Sequence, residues 1–206
     1  MNRYFGVEIE ACKVKDNYSI PRGWERQWEH CGLEFVSPLL KGQEGLDAIT
    51  GLYNDIEPEV NRHCGLHVHV DVRDFSDEER LELARRLHAD KDIFFGRVDK
   101  SRHDNEFCER PLPRVYDYDT WSSYMRRVDT GIYEDRYCWV NFLSVSKHGS
   151  VEFRLHEATD NADEVRAWAS FLVSYVENVK TGARVSECPA CVDQVKIRNL
   201  VDQLVS

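Results

Sequence analysis

Polar and apolar residues alternate strictly in three short segments of the chain: Gly6-Val7-Glu8-Ile9-Glu10, Leu66-His67-Val68-His69-Val70 and Val151-Glu152-Phe153-Arg154-Leu155. A period of two is that of a β-strand, so each polar pair shares one face, its members about 6.6–7 Å apart. Val7, Ile9, Leu66, Val68, Phe153 and Leu155 then face a core. If the three strands join one sheet, its polar face gathers three carboxylates, two imidazoles and a guanidinium.

Other segments carry weaker strand signals or a helical period. Residues 17–32 read as a loop or hairpin, and Leu33-Glu34-Phe35-Val36 as a strand closed by Ser37-Pro38. Leu46, Ile49, Leu52, Tyr53 and Ile56 recur at helical spacing, which predicts an amphipathic helix over 44–57 covering the apolar face of the sheet. Ser76-Asp77-Glu78-Glu79 is a capping box opening a second helix whose stripe runs Leu81, Ala84, Leu87 and on to Ile93 and Phe94. Residues 96–135 lose periodicity and read as a substrate-facing irregular insertion with short elements such as 119–128. Tyr137 to Leu143 is a strand candidate, with His148-Gly149 turning into the Glu152/Arg154 strand as an antiparallel hairpin. Val165, Trp168, Ala169, Leu172, Val173 and Val176 mark a long helix stopping near Gly182, and residues 192–204 suggest another in a C-terminal extension over 183–206.

Composition narrows the class. A chain of 206 residues, 42% hydrophobic and 31% charged, suits one globular domain over 1–206. The net charge of −10 argues against general binding to nucleic acid or anionic membranes. No stretch approaches the roughly 20 apolar residues of a membrane helix. A strand directly after Met1 leaves no room for a signal peptide, so a cytoplasmic location is expected. The seven cysteines are irregularly spread and read mainly as small buried hydrophobes. Cys188-Pro-Ala-Cys191 has the spacing of half a zinc knuckle or a redox pair, or is a turn before the last helix. The five tryptophans read as core or substrate wall, because no basic run interleaves them.

Glu8 and Glu10 side by side are costly unless cations neutralise them, and magnesium suits such oxygen ligands; alone, the pair would also fit a solvent-facing edge strand. His67 and His69 suit zinc ligation, base catalysis or phosphate contact, or a satisfied core. The Arg154 fork suits phosphate oxygens, or a cross-strand ion pair with Glu152. Taken together on three strands, they point to a shared metal and phosphate site.

These residues resemble the amidoligase family of the carboxylate-amine ligase superfamily, relatives of glutamine synthetase and glutamate-cysteine ligase. The matching pieces, in order over about residues 4–180, are Phe5 to Glu10; Leu33 to Pro38 with Gly42; Asn61 with Cys64 to Val70; Ser101-Arg102 with Cys108 and Pro111-Leu112; Arg136-Tyr137 with Asn141; and Val151 to Leu155 with Thr159 and Trp168. The resemblance implies an α+β fold like the glutamine synthetase catalytic domain: a twisted, mostly antiparallel sheet with helices on one face and a funnel for ATP and two or more Mg2+, with Mn2+ as a substitute. It implies that a substrate carboxylate attacks the ATP γ-phosphate and that an amine converts the acyl phosphate to an amide. Both are small-molecule or peptide substrates. By position, Glu8, Glu10, Glu34, Glu152 and His67 resemble metal ligands. His69 and Arg154 resemble phosphate contacts, and Arg136 and Arg102 contacts to phosphate or the substrate carboxylate. Asn141 falls in the cofactor-binding set, and Glu152, Arg154 and Arg136 in the catalytic one. Family members often carry an Asp-x-Ser element before the Glu-Ser-Pro-type strand; Asp16-Asn17-Tyr18-Ser19 only approximates it, which leaves substrate choice open. Two other classes fit the same strands: a zinc hydrolase using His67, His69 and a carboxylate, and a non-catalytic binding module.

Overall fold

A computed structural model describes residues 3–103, 105, 106, 108, 118–129 and 137–183. Arg136, Cys188, Cys191, the terminal helix expected over 192–204 and much of the 96–135 segment lie outside the described residues. The first strand, β1 (Tyr4–Ala11), alternates as its sequence dictates: Phe5, Val7, Ile9 and Ala11 are buried, while Gly6, Glu8 and Glu10 are half-buried on the opposite face. Of the two alternatives for residues 17–32, the hairpin forms: β2 (Glu25–Glu29) pairs with β3 (Gly32–Val36). A two-residue β4 (Leu40–Lys41) returns to β1.

Helix α1 (Gly42–Ile56) buries the expected stripe of Leu46, Ile49, Leu52, Tyr53 and Ile56. Strand β5 (Gly65–Asp71) follows, and then α2 (Asp77–Ala89) opens on the capping box: Ser76 Oγ accepts from the Glu79 amide while the Glu79 carboxylate accepts from that of Ser76. The stripe expected to continue to Ile93 and Phe94 is broken at Asp90, and these residues lie in a separate helix, α3 (Lys91–Phe95). Helix α4 (Tyr118–Asp129) falls where short elements were expected.

The strand expected over 137–143 shrinks to β6 (Val140–Asn141), because Asn141 Oδ1 accepts from the Leu143 amide and turns the chain into α5 (Leu143–His148). Gly149 ends α5 at φ 69° with the Arg73 side chain packed where a Cβ would stand, so only glycine fits this turn into β7 (Ser150–Glu157). The antiparallel β6–β7 pairing is as read, with a helix rather than a plain turn between them. Helix α6 (Ala162–Thr181) ends at Gly182, as its spacing predicts.

Among the described residues, seven strands form one open sheet in the order β2-β3-β1-β5-β7-β6, with β4 beside β1, and every pairing between them is antiparallel. The class is therefore α+β. Helices α1 and α6 cover the apolar face, and α2 packs on α6. The core is one contiguous cluster between sheet and helices. Short α5 approaches the other face, where the polar residues converge. Among the described residues, no helix is long and apolar enough to cross a membrane.

Candidate metal and phosphate site

Strand register decides which of the alternating polar residues meet. On the three central strands Glu8 stands opposite His67, Gly6 opposite His69, and His69 opposite Glu152; on the flanks Glu10 faces Glu34, Glu34 faces Gln27, and Asn141 faces Glu152. One polar floor results, lined by Glu8, Glu10, Glu34, His67, His69, Asn141, Glu152 and Arg154, beneath a cavity of about 320 Å³.

Glu8 is the hub. Its Oε2 lies 3.0 Å from His67 Nδ1 and its Oε1 3.2 Å from His69 Nε2. The second nitrogen of His69 is held by Ser144 Oγ at 3.1 Å and Ser150 Oγ at 3.0 Å, which fixes the ring. Glu152 accepts from Asn141 Nδ2 at 2.7 Å and Arg154 Nη1 at 2.5 Å. The Arg154 side chain is 12% exposed, and its buried Nε makes no hydrogen bond among the described residues. Glu34 accepts from Gln27 Nε2 across the hairpin.

Ligand atoms from Glu8, Glu34 and His67 lie within 4.8 Å of one another, and so do those from Glu8, His69 and Glu152. Two groups of possible metal ligands thus share Glu8. His69, which the resemblance implied as a phosphate contact, falls in the second. Glu10 belongs to neither group: its Oε2 accepts from the Gly65 amide at 2.7 Å and the Cys31 thiol at 3.1 Å, and its Oε1 lies 3.9 Å from His67. The donor set is rich in carboxylate oxygen with one imidazole in each group, which suits Mg2+ or Mn2+ better than a nitrogen- and sulfur-seeking ion.

Arg102 stands apart. It is 2% exposed and does not line the cavity; its Nε donates to the Leu155 carbonyl and its Nη2 to the Arg154 carbonyl. The reason is a β-bulge. Leu66 pairs with His156 but Val68 with Phe153, so Arg154 and Leu155 together oppose His67. A bulge leaves backbone groups without ladder partners and re-aims its side chains. Arg102 satisfies the two freed carbonyls and so holds the backbone from which Arg154 projects. The bulge also turns His156 to the helix side, where its ring lies 5.0 Å from that of Trp168.

Charge coupling follows this geometry. Burial opposes ionisation of Glu8, but hydrogen bonds and charge from His67 and His69 outweigh it and hold the carboxyl far below its usual range. Glu152 is lowered as well, burial being outweighed by Arg154 and the two imidazoles. Burial lowers His69, yet the Glu8 carboxylate 3.2 Å from its Nε2 and the charge of Glu152 raise it above 6.5. Burial and the Glu8 charge push Glu34 up. In the metal-free protein the Glu8 contribution to stability is present above 4.5 and lost as pH falls through its lowered pKa, and that of His69 is present below 6.5 and lost as pH rises through its raised one. Thermal melting in chelator should therefore show wild type exceeding Glu8→Gln most between these values, by about 1–2 kcal/mol. A difference that keeps growing above pH 7 would contradict the pairing.

A family model described as "Putative amidoligase enzyme" matches residues 15–176. The chain belongs to the amidoligase family. At that level it is a ligase-type enzyme. A search of curated proteins returned no match. The amidoligase match begins after β1, so Glu8 and Glu10 enter the site through their register with β5 and β3 rather than through the match. Sequence reasoning missed Gln27, Ser144, Ser150 and His148, which reach this face only through pairing and through α5; Glu34 was found by resemblance alone.

Proposed function

We propose that this amidoligase is an ATP- and Mg2+-dependent carboxylate-amine ligase, forming an amide or peptide-like bond through an acyl phosphate. The observation that carries the proposal is the pair of ligand groups sharing Glu8, beside an arginine whose buried Nε has no partner among the described residues. Glu8, Glu34 and His67 would hold one ion, and Glu8, His69 and Glu152 a second. Bound there, magnesium would neutralise the phosphate oxygens and hold them for in-line displacement.

The residues of the chain position and balance charge. Arg154 presents its guanidinium to phosphate oxygens, Glu152 and the Arg102-held bulge keep it aimed, and Ser144 and Ser150 keep the His69 ring oriented. A substrate carboxylate oxygen bonds to the γ-phosphorus while the bond to the bridging oxygen breaks, and ADP departs with that electron pair. An amine then adds to the acyl carbon, inorganic phosphate leaves, and the amine proton passes to solvent or base. Phosphoryl transfer of this kind asks for positioning and charge neutralisation rather than a covalent nucleophile, and no such nucleophile is needed here. The open antiparallel sheet with α1 and α6 on one face supports the finer fold assignment, like the glutamine synthetase catalytic domain, and the chain as a single catalytic domain. No observation specifically favours a zinc hydrolase or a non-catalytic module.

Calorimetry tests the proposal without a guess about either organic substrate. ATP binding to the wild type should require Mg2+, should be lost in Glu8→Ala, and should weaken by about tenfold to a hundredfold in Arg154→Ala. Magnesium-independent binding, or none to a folded wild type, would overturn it.

A further inference from the structure

The polar face of β1 reads Tyr4, Gly6, Glu8, Glu10, and the glycine interrupts a row of large side chains. Neither backbone nor packing demands it. Gly6 is not among the residues with positive φ, and a Cβ built there would meet only Ser37 Oγ at 3.5 Å and His69 Cβ at 3.9 Å, ordinary contacts. Glycine within a strand costs conformational freedom and side-chain packing, and it often marks where a ligand comes close.

Space is what the missing side chain leaves. A second cavity, of about 280 Å³, lies over Gly6 and meets the acidic one at Glu8, His69 and His148. Its character is different. Tyr4, Val36, Pro38 and Leu39 wall it, and Tyr4 and Leu39 are 39% and 62% exposed, two of four large hydrophobics so placed among the described residues. Asp71 and Arg73 line the Tyr4 side as well but are paired to each other at 2.8 Å, so the walls left to a ligand are apolar while Glu8, His69 and His148 converge where the two cavities meet, which makes a small-molecule site.

Resting on the ligase reading, we propose that this cavity holds the apolar body of the organic acid to be activated, with its carboxylate at the Glu8/His69 end. An acid is favoured because the cavity opens onto the metal and phosphate floor only there, and that is where a reacting carboxylate must stand. A nucleobase is not favoured, because the strand under the cavity offers no free edge to read one. The β1 backbone pairs with β4 and β5, the Val7 amide donates to Ser37 Oγ and the Val7 carbonyl accepts from the Ser37 amide. The ligand is thus an acid with an aliphatic or aromatic side group rather than a densely polar one.

Phenylacetate serves as the probe, read by saturation-transfer NMR on the full chain without metal and then with Mn2+. Wild type should bind it. Gly6→Val, which fills the floor, and Leu39→Lys, which charges an exposed wall without touching the core, should each weaken binding by about tenfold while leaving Mn2+ affinity unchanged. Bound Mn2+ should broaden the methylene protons beside the carboxylate more than the distal ring protons. Equal binding in wild type and both variants would overturn the inference, as would adenosine, rather than phenylacetate, being the ligand the two substitutions exclude. Failure of wild type to bind Mn2+ would remove the ligase reading, and the metal-free comparison of the same three proteins would still decide whether the cavity takes the acid.

Discussion

Glu152→Gln should lower carboxylate-dependent phosphate release from ATP by about three orders of magnitude while the protein stays folded. The substitution changes one atom and the charge. Glu152 lies in the second ligand group and accepts from both Asn141 and Arg154, so the neutral amide withdraws one of two negative groups shared with Glu8 and His69 and must turn an N–H toward one of its former donors. That mismatch costs about 1–3 kcal/mol. It does not threaten β7, because Val151, Phe153 and Leu155 remain fully buried from the other side of the strand. Glu152→Ala would be a poorer test: it leaves the buried Arg154 guanidinium without its partner and confounds lost turnover with lost structure. Circular dichroism and the denaturation midpoint establish folding, and phosphate release with hydroxylamine as surrogate amine reads turnover. A folded Glu152→Gln protein that still turns over ATP would exclude Glu152 from the chemistry.

The reach of sequence reasoning here follows from what each signal depends on. Polar pairs at i, i+2 are a property of a single strand, so Glu8/Glu10, His67/His69 and Glu152/Arg154 were legible without knowing the fold, as was the Ser76 capping box, which is equally local. Register is not local. That Glu8 rather than Glu10 becomes the hub depends on Glu8 standing opposite His67, and on the Gly65 amide and Cys31 thiol engaging Glu10. Arg102 shows the same limit more sharply. The resemblance implied that Arg102 contacts phosphate or the substrate carboxylate, yet a single extra residue in β7 creates two carbonyls to which it donates. Strict alternation does not carry past this point, since a bulge reverses the parity of the residues beyond it and sends His156 to the helix side. Nor could periodicity foresee that Asn141 would use its own side chain to end β6 and start α5, which brings Ser144 to His69.

Phe94→Ala should cost about 3–5 kcal/mol of folding stability, the largest loss expected from any single truncation here. Its ring is fully buried, and its centroid lies within 4.8–6.5 Å of those of Trp139, Phe153, Trp168, Phe171 and Tyr175. These belong to β7, α6 and the approach to β6, so the ring joins the sheet to its covering helix. Five rigid rings around one side chain collapse poorly into the space it leaves, which places the cost in the upper part of the usual range. Phe94→Leu keeps most of the volume and should lose less than half as much. Denaturant midpoints at constant m-value measure both. The functional consequence is expected to be small. Phe153, stacked on Phe94 at 6.1 Å with planes 8° apart, sits between Glu152 and Arg154 but points to the opposite face. β7 stays paired to β5 and β6, and Arg102 still holds its bulge. Well below its melting temperature, Phe94→Ala should therefore bind Mn2+ within about threefold of wild type. A much larger loss of affinity would mean that the aromatic cluster, and not the strand pairing, sets the geometry of the acidic floor.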